Sequence, residues 1–142
     1  MKKKILIVDD NKDALEILGL QLTNIGCQVI KACNSKDAIA RAEAELPDLI
    51  FMDMGLPETD GVKTTATLKQ NHKTSRIPVV ALTAWMSDLW REKASKVGMV
   101  GYILKPASPL MLKQAIEKFT NESPNPLHDG FVEFISPYSM GS

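Results

Sequence analysis

Five side chains capable of metal or phosphoryl chemistry follow directly on short apolar runs. Asp9 and Asp10 follow Ile5–Val8, Asp53 follows Leu49–Met52, Thr83 follows Val79–Leu82, and Lys105 follows Tyr102–Leu104. If Asp9, Asp10 and Asp53 converge, their carboxylates repel one another and raise their own pKa values unless a cation sits among them. An all-oxygen donor set with room for water suits hard, octahedral Mg2+ better than zinc, which takes His and Cys. A lysine ammonium opposite the ion can balance the charge of a bound phosphoryl group, and a Thr hydroxyl can donate to one of its oxygens. The chemistry expected of such a cup is in-line attack by an Asp53 oxygen on phosphorus, which yields an acyl phosphate. Taken singly, each residue has a plainer reading: solvated loop carboxylates, a turn hydroxyl, a surface lysine. Their common position at strand ends is what favours the chemical one.

That convergence depends on the elements around them. Near-continuous apolar runs at Ile5–Val8, Val29–Ala32, Leu49–Met52, Val79–Leu82 and Tyr102–Leu104 alternate with helix-length segments. This pattern predicts five parallel strands covered on both faces by helices, a doubly wound α/β fold. In the flavodoxin-like order 2-1-3-4-5, strands 1 and 3 flank the switch point, and ligands collect at the carboxyl edge there.

The helices are marked unevenly. Leu15, Leu18, Leu22 and Ile25 share one face of the first, which Gly26 ends. Asn34 and Asp37 open the second, which carries Ala38, Ile39 and Ala42 and stops at Pro47. The third, after Asp60-Gly61, is rich in Thr (Thr64, Thr65, Thr67) and is expected mainly from its position. Met86, Trp90, Ala94 and Val97 mark the fourth, and Ser108-Pro109 opens a fifth with Leu112, Ala115, Ile116 and Phe119.

The expected organisation is one domain over residues 1–120 and a C-terminal tail over 121–142, flexible and without an output domain. The tail carries Pro124, Pro126 and Pro137 and has no sustained periodicity, although Phe131, Val132, Phe134 and Ile135 could dock. The 142 residues include 44% apolar and 24% charged, a globular balance. Seventeen basic residues against seventeen acidic argue against direct nucleic-acid binding through a cationic field. The basic start, Met1-Lys2-Lys3-Lys4, leads into an apolar run that ends at Asp9, too short for a signal peptide or a membrane insertion. With only Cys27 and Cys33, read as packing or surface thiols, a reduced cytoplasmic location is expected.

Five segments in order resemble the receiver (CheY-like) family of two-component response regulators, over roughly residues 4–120. They are Ile5-Leu6-Ile7-Val8-Asp9-Asp10-Asn11, Asp48-Leu49-Ile50-Phe51-Met52-Asp53-Met54, Leu56-Pro57 with Asp60-Gly61, Pro78-Val79-Val80-Ala81-Leu82-Thr83-Ala84, and Gly101-Tyr102-Ile103-Leu104-Lys105-Pro106. The resemblance implies a phosphoacceptor signalling domain and not an enzyme in its own right. Asp53 would be the acceptor. Asp10, Asp53 and the Gly55 carbonyl would hold Mg2+ directly, with Asp9 acting largely through water. Thr83 and Lys105 would bind phosphoryl oxygens, and the Lys105–Pro106 peptide would be cis. Tyr102 matches an aromatic that turns inward as the Thr hydroxyl moves toward phosphate, which would rearrange the surface of the fourth helix, fifth strand and fifth helix. Implied partners are a histidine kinase or histidine phosphotransfer protein as donor and a downstream protein target, the chain being a monomer or a phosphorylation-dependent dimer. Gly55 and Trp85 occupy positions that tune phosphoryl lifetime in similar proteins, and Thr59 stands where an apolar residue is common.

Other functions remain distinguishable. An aspartyl-nucleophile phosphatase commonly places a second Asp two residues after the first, where this chain has Gly55. A flavodoxin must cradle a phosphate in its first loop, which Asp9 and Asp10 would repel. A phosphorylation-independent interaction module has no need of the acidic residues. Gly98-Met99-Val100-Gly101-Tyr102 also looks like receivers of hybrid histidine kinases, so such a fragment is a further alternative.

Overall fold

A computed structural model of the chain describes residues 2–54, 59–121 and 131–134. The elements run β1 (Lys4–Val8), α1 (Lys12–Asn24), β2 (Gln28–Ala32), α2 (Ser35–Glu45), β3 (Leu49–Asp53), α3 (Thr59–Gln70), β4 (Val79–Thr83), α4 (Asp88–Lys96), β5 (Gly101–Leu104), α5 (Pro109–Asn121) and β6 (Val132–Phe134). All strand pairs are parallel, in the order β2-β1-β3-β4-β5-β6. The flavodoxin-like order 2-1-3-4-5 is present, with one strand more than the five expected. The sixth comes from the segment expected to be a flexible tail. It is too short to register as a periodic run, and what admits it is Gly101 of β5, where a side chain would meet Val132.

Alternation along the strands divides the core into two layers. Ile5, Ile7, Leu49, Phe51, Val80, Leu82 and Ile103 pack with Leu15, Leu18 and Leu22 of α1 and Met111, Leu112, Ala115, Ile116 and Phe119 of α5. On the opposite face, Leu6, Val8, Ile50, Met52, Val79, Ala81 and Tyr102 pack with Ala38 and Ala42 of α2, Leu68 of α3, and Trp90 and Ala94 of α4. Because both faces are covered, strand residues of either parity must be apolar, which is why the runs read as continuous.

Helix starts are fixed by side-chain caps. Asn11 Oδ1 accepts from Ala14 N (3.0 Å), Asn34 Oδ1 from Asp37 N (2.7 Å), Ser87 Oγ from Trp90 N (3.1 Å) and Ser108 Oγ from Met111 N (3.1 Å). Thr-rich α3 is a full helix because its hydroxyls find acceptors. Thr65 Oγ1 donates to the Gly61 carbonyl (2.8 Å), Thr67 Oγ1 to that of Lys63 (3.1 Å) and Thr64 Oγ1 to Ser35 Oγ (2.6 Å). At the end of α2, the Leu46 N–H still donates to the Ala42 carbonyl (3.0 Å), and its left-handed φ of 48° turns the chain out of the helix.

Candidate functional site

Parallel pairing fixes which residues share the carboxyl edge. Val8 is level with Met52, Asp53 with Leu82, and Thr83 with Leu104. Asp9-Asp10, Asp53, Thr83 and Lys105 therefore leave four neighbouring strands at one rim. Backbone bonds hold these exits: Asp9 N donates to the Ala32 carbonyl (3.1 Å), Met54 N to that of Leu82 (2.8 Å) and Lys105 N to that of Thr83 (2.8 Å). The Lys105–Pro106 peptide is cis, the isomer the resemblance implies.

The three carboxylates meet. Asp9, Asp10 and Asp53 each present an oxygen within 4.8 Å of the others. Asp9 is buried and oriented by the Asn11 N–H, which donates to its Oδ1 (2.9 Å), so the residue that caps α1 also aims Asp9. Burial raises the Asp9 pKa above the ordinary carboxylate value; the Asn11 bond lowers it, the Asp53 charge raises it and Lys105 lowers it. Asp53 Oδ1 is sealed from solvent and accepts no hydrogen bond of good geometry among the described residues, its counter-charge being the Lys105 ammonium in direct ion-pair contact. Asp10 is exposed at the mouth. Three carboxylates within 4.8 Å of one another carry more negative charge than the one ammonium against Asp53 offsets, and an all-oxygen set of this kind fits a small hard cation that brings its own waters. Gly55, the fourth expected ligand, lies outside the described residues, as do Leu56 and Pro57; nothing is described of the Thr59 and Asp60 side chains.

Thr83 is buried at the rim, and its hydroxyl donates to the Trp85 carbonyl (2.7 Å). Tyr102, two residues before Leu104, is 1% exposed and faces inward beneath α4. Tyr102 is thus inward while the Thr83 hydroxyl rests on the Trp85 carbonyl. The reason is local. The Tyr102 hydroxyl donates to Glu133 Oε1 and accepts from Arg91 Nη2 (2.9 Å), and the Phe131 ring lies beside it with centroids 5.5 Å apart. Arg91 and Glu133 went unremarked in the sequence. Neither carries a signal there, since their meeting depends on the unanticipated sixth strand. Trp85 stands 60% exposed next to the rim.

The described helices include none long and apolar enough to cross a membrane. The family model for the response regulator receiver domain matches residues 5–117. The polar-differentiation response regulator DivK of Brucella anthropi is 31% identical over 123 residues, covering 87% of this chain and 100% of the relative. The alkaline phosphatase synthesis transcriptional regulatory protein PhoP of Bacillus subtilis is 32% identical over 87% of this chain, which spans only 50% of that longer protein. Among solved structures, the receiver domain of a sensor histidine kinase from Pseudomonas aeruginosa PAO1, with magnesium coordinated in its active-site cleft, superposes with a TM-score of 0.77. It is 28% identical, over 86% of this chain and 100% of that one. With its family model spanning most of the chain and its strand-end residues gathered at one rim, this protein belongs to the response regulator receiver domain family of two-component signalling.

Proposed function

We propose that the chain is a Mg2+-dependent phosphoacceptor. Asp53 takes a phosphoryl group from a phosphohistidine on a histidine kinase or histidine phosphotransfer protein, and the product alters binding of a downstream protein target. The observation that carries this reading is the meeting of three carboxylates on one side of Asp53 with the Lys105 ammonium on the other. Asp9, Asp10 and Asp53 would hold the ion, which supplies positive charge against the phosphoryl oxygens. An Asp53 carboxylate oxygen forms the new O–P bond as the P–N bond to the donor imidazole breaks, and the bond's electron pair leaves with the imidazole. Lys105, already against Asp53, would exchange that contact for a phosphoryl oxygen. Thr83 has a single hydroxyl proton, committed to the Trp85 carbonyl, so donating to the phosphoryl group requires breaking that bond. Thr83 thereby links the chemistry to the β4–α4 loop. The family and the absence of a second Asp at position 55 favour a signalling acceptor over a phosphatase, and the site is expected to work in the cytoplasm.

The test is labelling by acetyl phosphate or a phosphorylated histidine donor. Wild type takes label with Mg2+ and not with a chelator, and Asp53→Asn takes none while keeping its circular dichroism. Equal labelling of the two proteins rejects Asp53 as acceptor.

A further inference from the structure

Residues 131–134 contact the part of the fold that a receiver domain would use to report its state. β6 pairs with β5 in the register Gly101↔Val132, Tyr102↔Glu133, Ile103↔Phe134, and Val132 N donates to the Val100 carbonyl (3.0 Å). Facing residues of a parallel pair point to the same side of the sheet, so Glu133 falls beside Tyr102 under α4. There Arg91 completes a three-part contact. Its Nη2 donates to the Tyr102 hydroxyl (2.9 Å) and lies 3.8 Å from Glu133 Oε1, and its guanidinium carbon stands 5.6 Å from the Tyr102 ring centre. The Phe131 ring lies beside that of Tyr102 at a tilt of 42° and packs on the same apolar layer.

The β5 edge is shaped for this strand. A Cβ built at Gly101 would run into the Val132 carbonyl oxygen, and its three nearest neighbours all belong to Val132. Only glycine lets the two backbones approach, so the close pairing is specified at position 101 as well as by the tail.

We infer that residues 131–134 are an intramolecular ligand of the α4–β5 face, which hold Tyr102 inward through Glu133 and Arg91 while the Thr83 hydroxyl remains on Trp85. The occupant is a short extended segment with one carboxylate flanked by apolar residues, Phe131-Val132-Glu133-Phe134. Any other partner that uses the β5 edge or Arg91 must displace it. Strand docking and the inward ring are therefore two readings of one equilibrium, and whatever shifts either shifts both. The inference does not depend on Asp53 being the acceptor, since it rests on the pairing of β6 with β5 and on the contacts among Arg91, Tyr102 and Glu133.

The test uses the full chain carrying Tyr138→Phe, with 13C-labelled tyrosine so that Tyr102 alone gives ring signals, together with amide hydrogen exchange. In the reference protein Val132 N–H is expected to be protected and Tyr102 to show one buried-ring set. Glu133→Ala removes a charged acceptor from a site already at the surface; exchange at 132–134 should rise about tenfold, and the Tyr102 signals should move or broaden. Gly101→Ala should do the same by a steric route, with β3 and β4 amides unchanged in both variants. Unprotected Val132 in the reference protein overturns the inference. So does a Tyr102 spectrum indifferent to both substitutions, or a released strand with the ring still inward.

Discussion

Replacing Asp9 by Asn should stabilise the metal-free chain, an outcome opposite to that of most substitutions at a buried polar residue. Asp9 is 7% exposed and within 4.8 Å of both other carboxylates, while its Oδ1 accepts a hydrogen bond from Asn11 N. Asn keeps the shape and that acceptor and removes the charge. Two like charges at this separation repel by about 3.5 kcal/mol at an effective dielectric of about 20. Lys105 returns part of this, so a net gain of about 1–2 kcal/mol at pH 7 is expected, or about 3–8 °C in midpoint for a domain of this size. The sign with pH follows from the raised Asp9 pKa, whose first cause is burial. Between its unfolded value near 4 and the higher folded one, the native state binds more protons than the unfolded state. Wild type therefore loses stability as pH rises through that interval, and Asp9→Asn does not. The assay is urea unfolding of both proteins in chelating buffer from pH 4 to pH 8. The stability difference should open as pH rises and close again for wild type on adding Mg2+, which binds the folded carboxylates. A variant less stable than wild type in chelator, or a difference independent of pH, refutes the electrostatic reasoning.

Other consequences can be checked separately. Mg2+ at about a hundred times its dissociation constant should raise wild-type stability by about 2.7 kcal/mol, measured as the thermal midpoint, and the rise should shrink sharply in a chain carrying Asp9→Asn and Asp10→Asn together. Leu46→Gly should gain about 0.5–1 kcal/mol in chemical unfolding, because Leu46 is 56% exposed and left-handed. Phe51→Ala, at a fully buried position of β3, should cost about 3–5 kcal/mol by the same measurement. Gly61→Ala should cost about 1–3 kcal/mol, since its new methyl meets the Met54 side chain one residue after Asp53.

The order of strands and the rim of the site could be read in the sequence for a common reason. A strand buried on both faces must be apolar throughout, so the first polar residue marks where it leaves the sheet, and Asp9, Asp53, Thr83 and Lys105 are such residues. Caps at Asn34 and Ser108 were visible because short polar side chains precede periodic apolar ones. Helix α3 was less legible: Thr64 and Thr65 are buried in it, their hydroxyls satisfied by Ser35 and the Gly61 carbonyl, and hydropathy counts such residues as polar. The sixth strand was not legible. Three residues carry no periodicity, and its docking rests on the missing side chain at Gly101 and on an Arg91–Tyr102–Glu133 contact between distant parts of the chain. The state of Thr83 and Tyr102 is equally a matter of three-dimensional partners that residue type does not reveal.

The most direct measurement is to locate the phosphoryl group. After exposure to a phosphohistidine donor with Mg2+, borohydride reduction converts an aspartyl phosphate to homoserine, and peptide mass spectrometry then identifies the residue. Homoserine at position 53 and at no other Asp is the result expected of a cup built from Asp9, Asp10, Asp53 and Lys105. Conversion at another aspartate, or a phosphoryl group that survives reduction on a hydroxyl side chain, contradicts it.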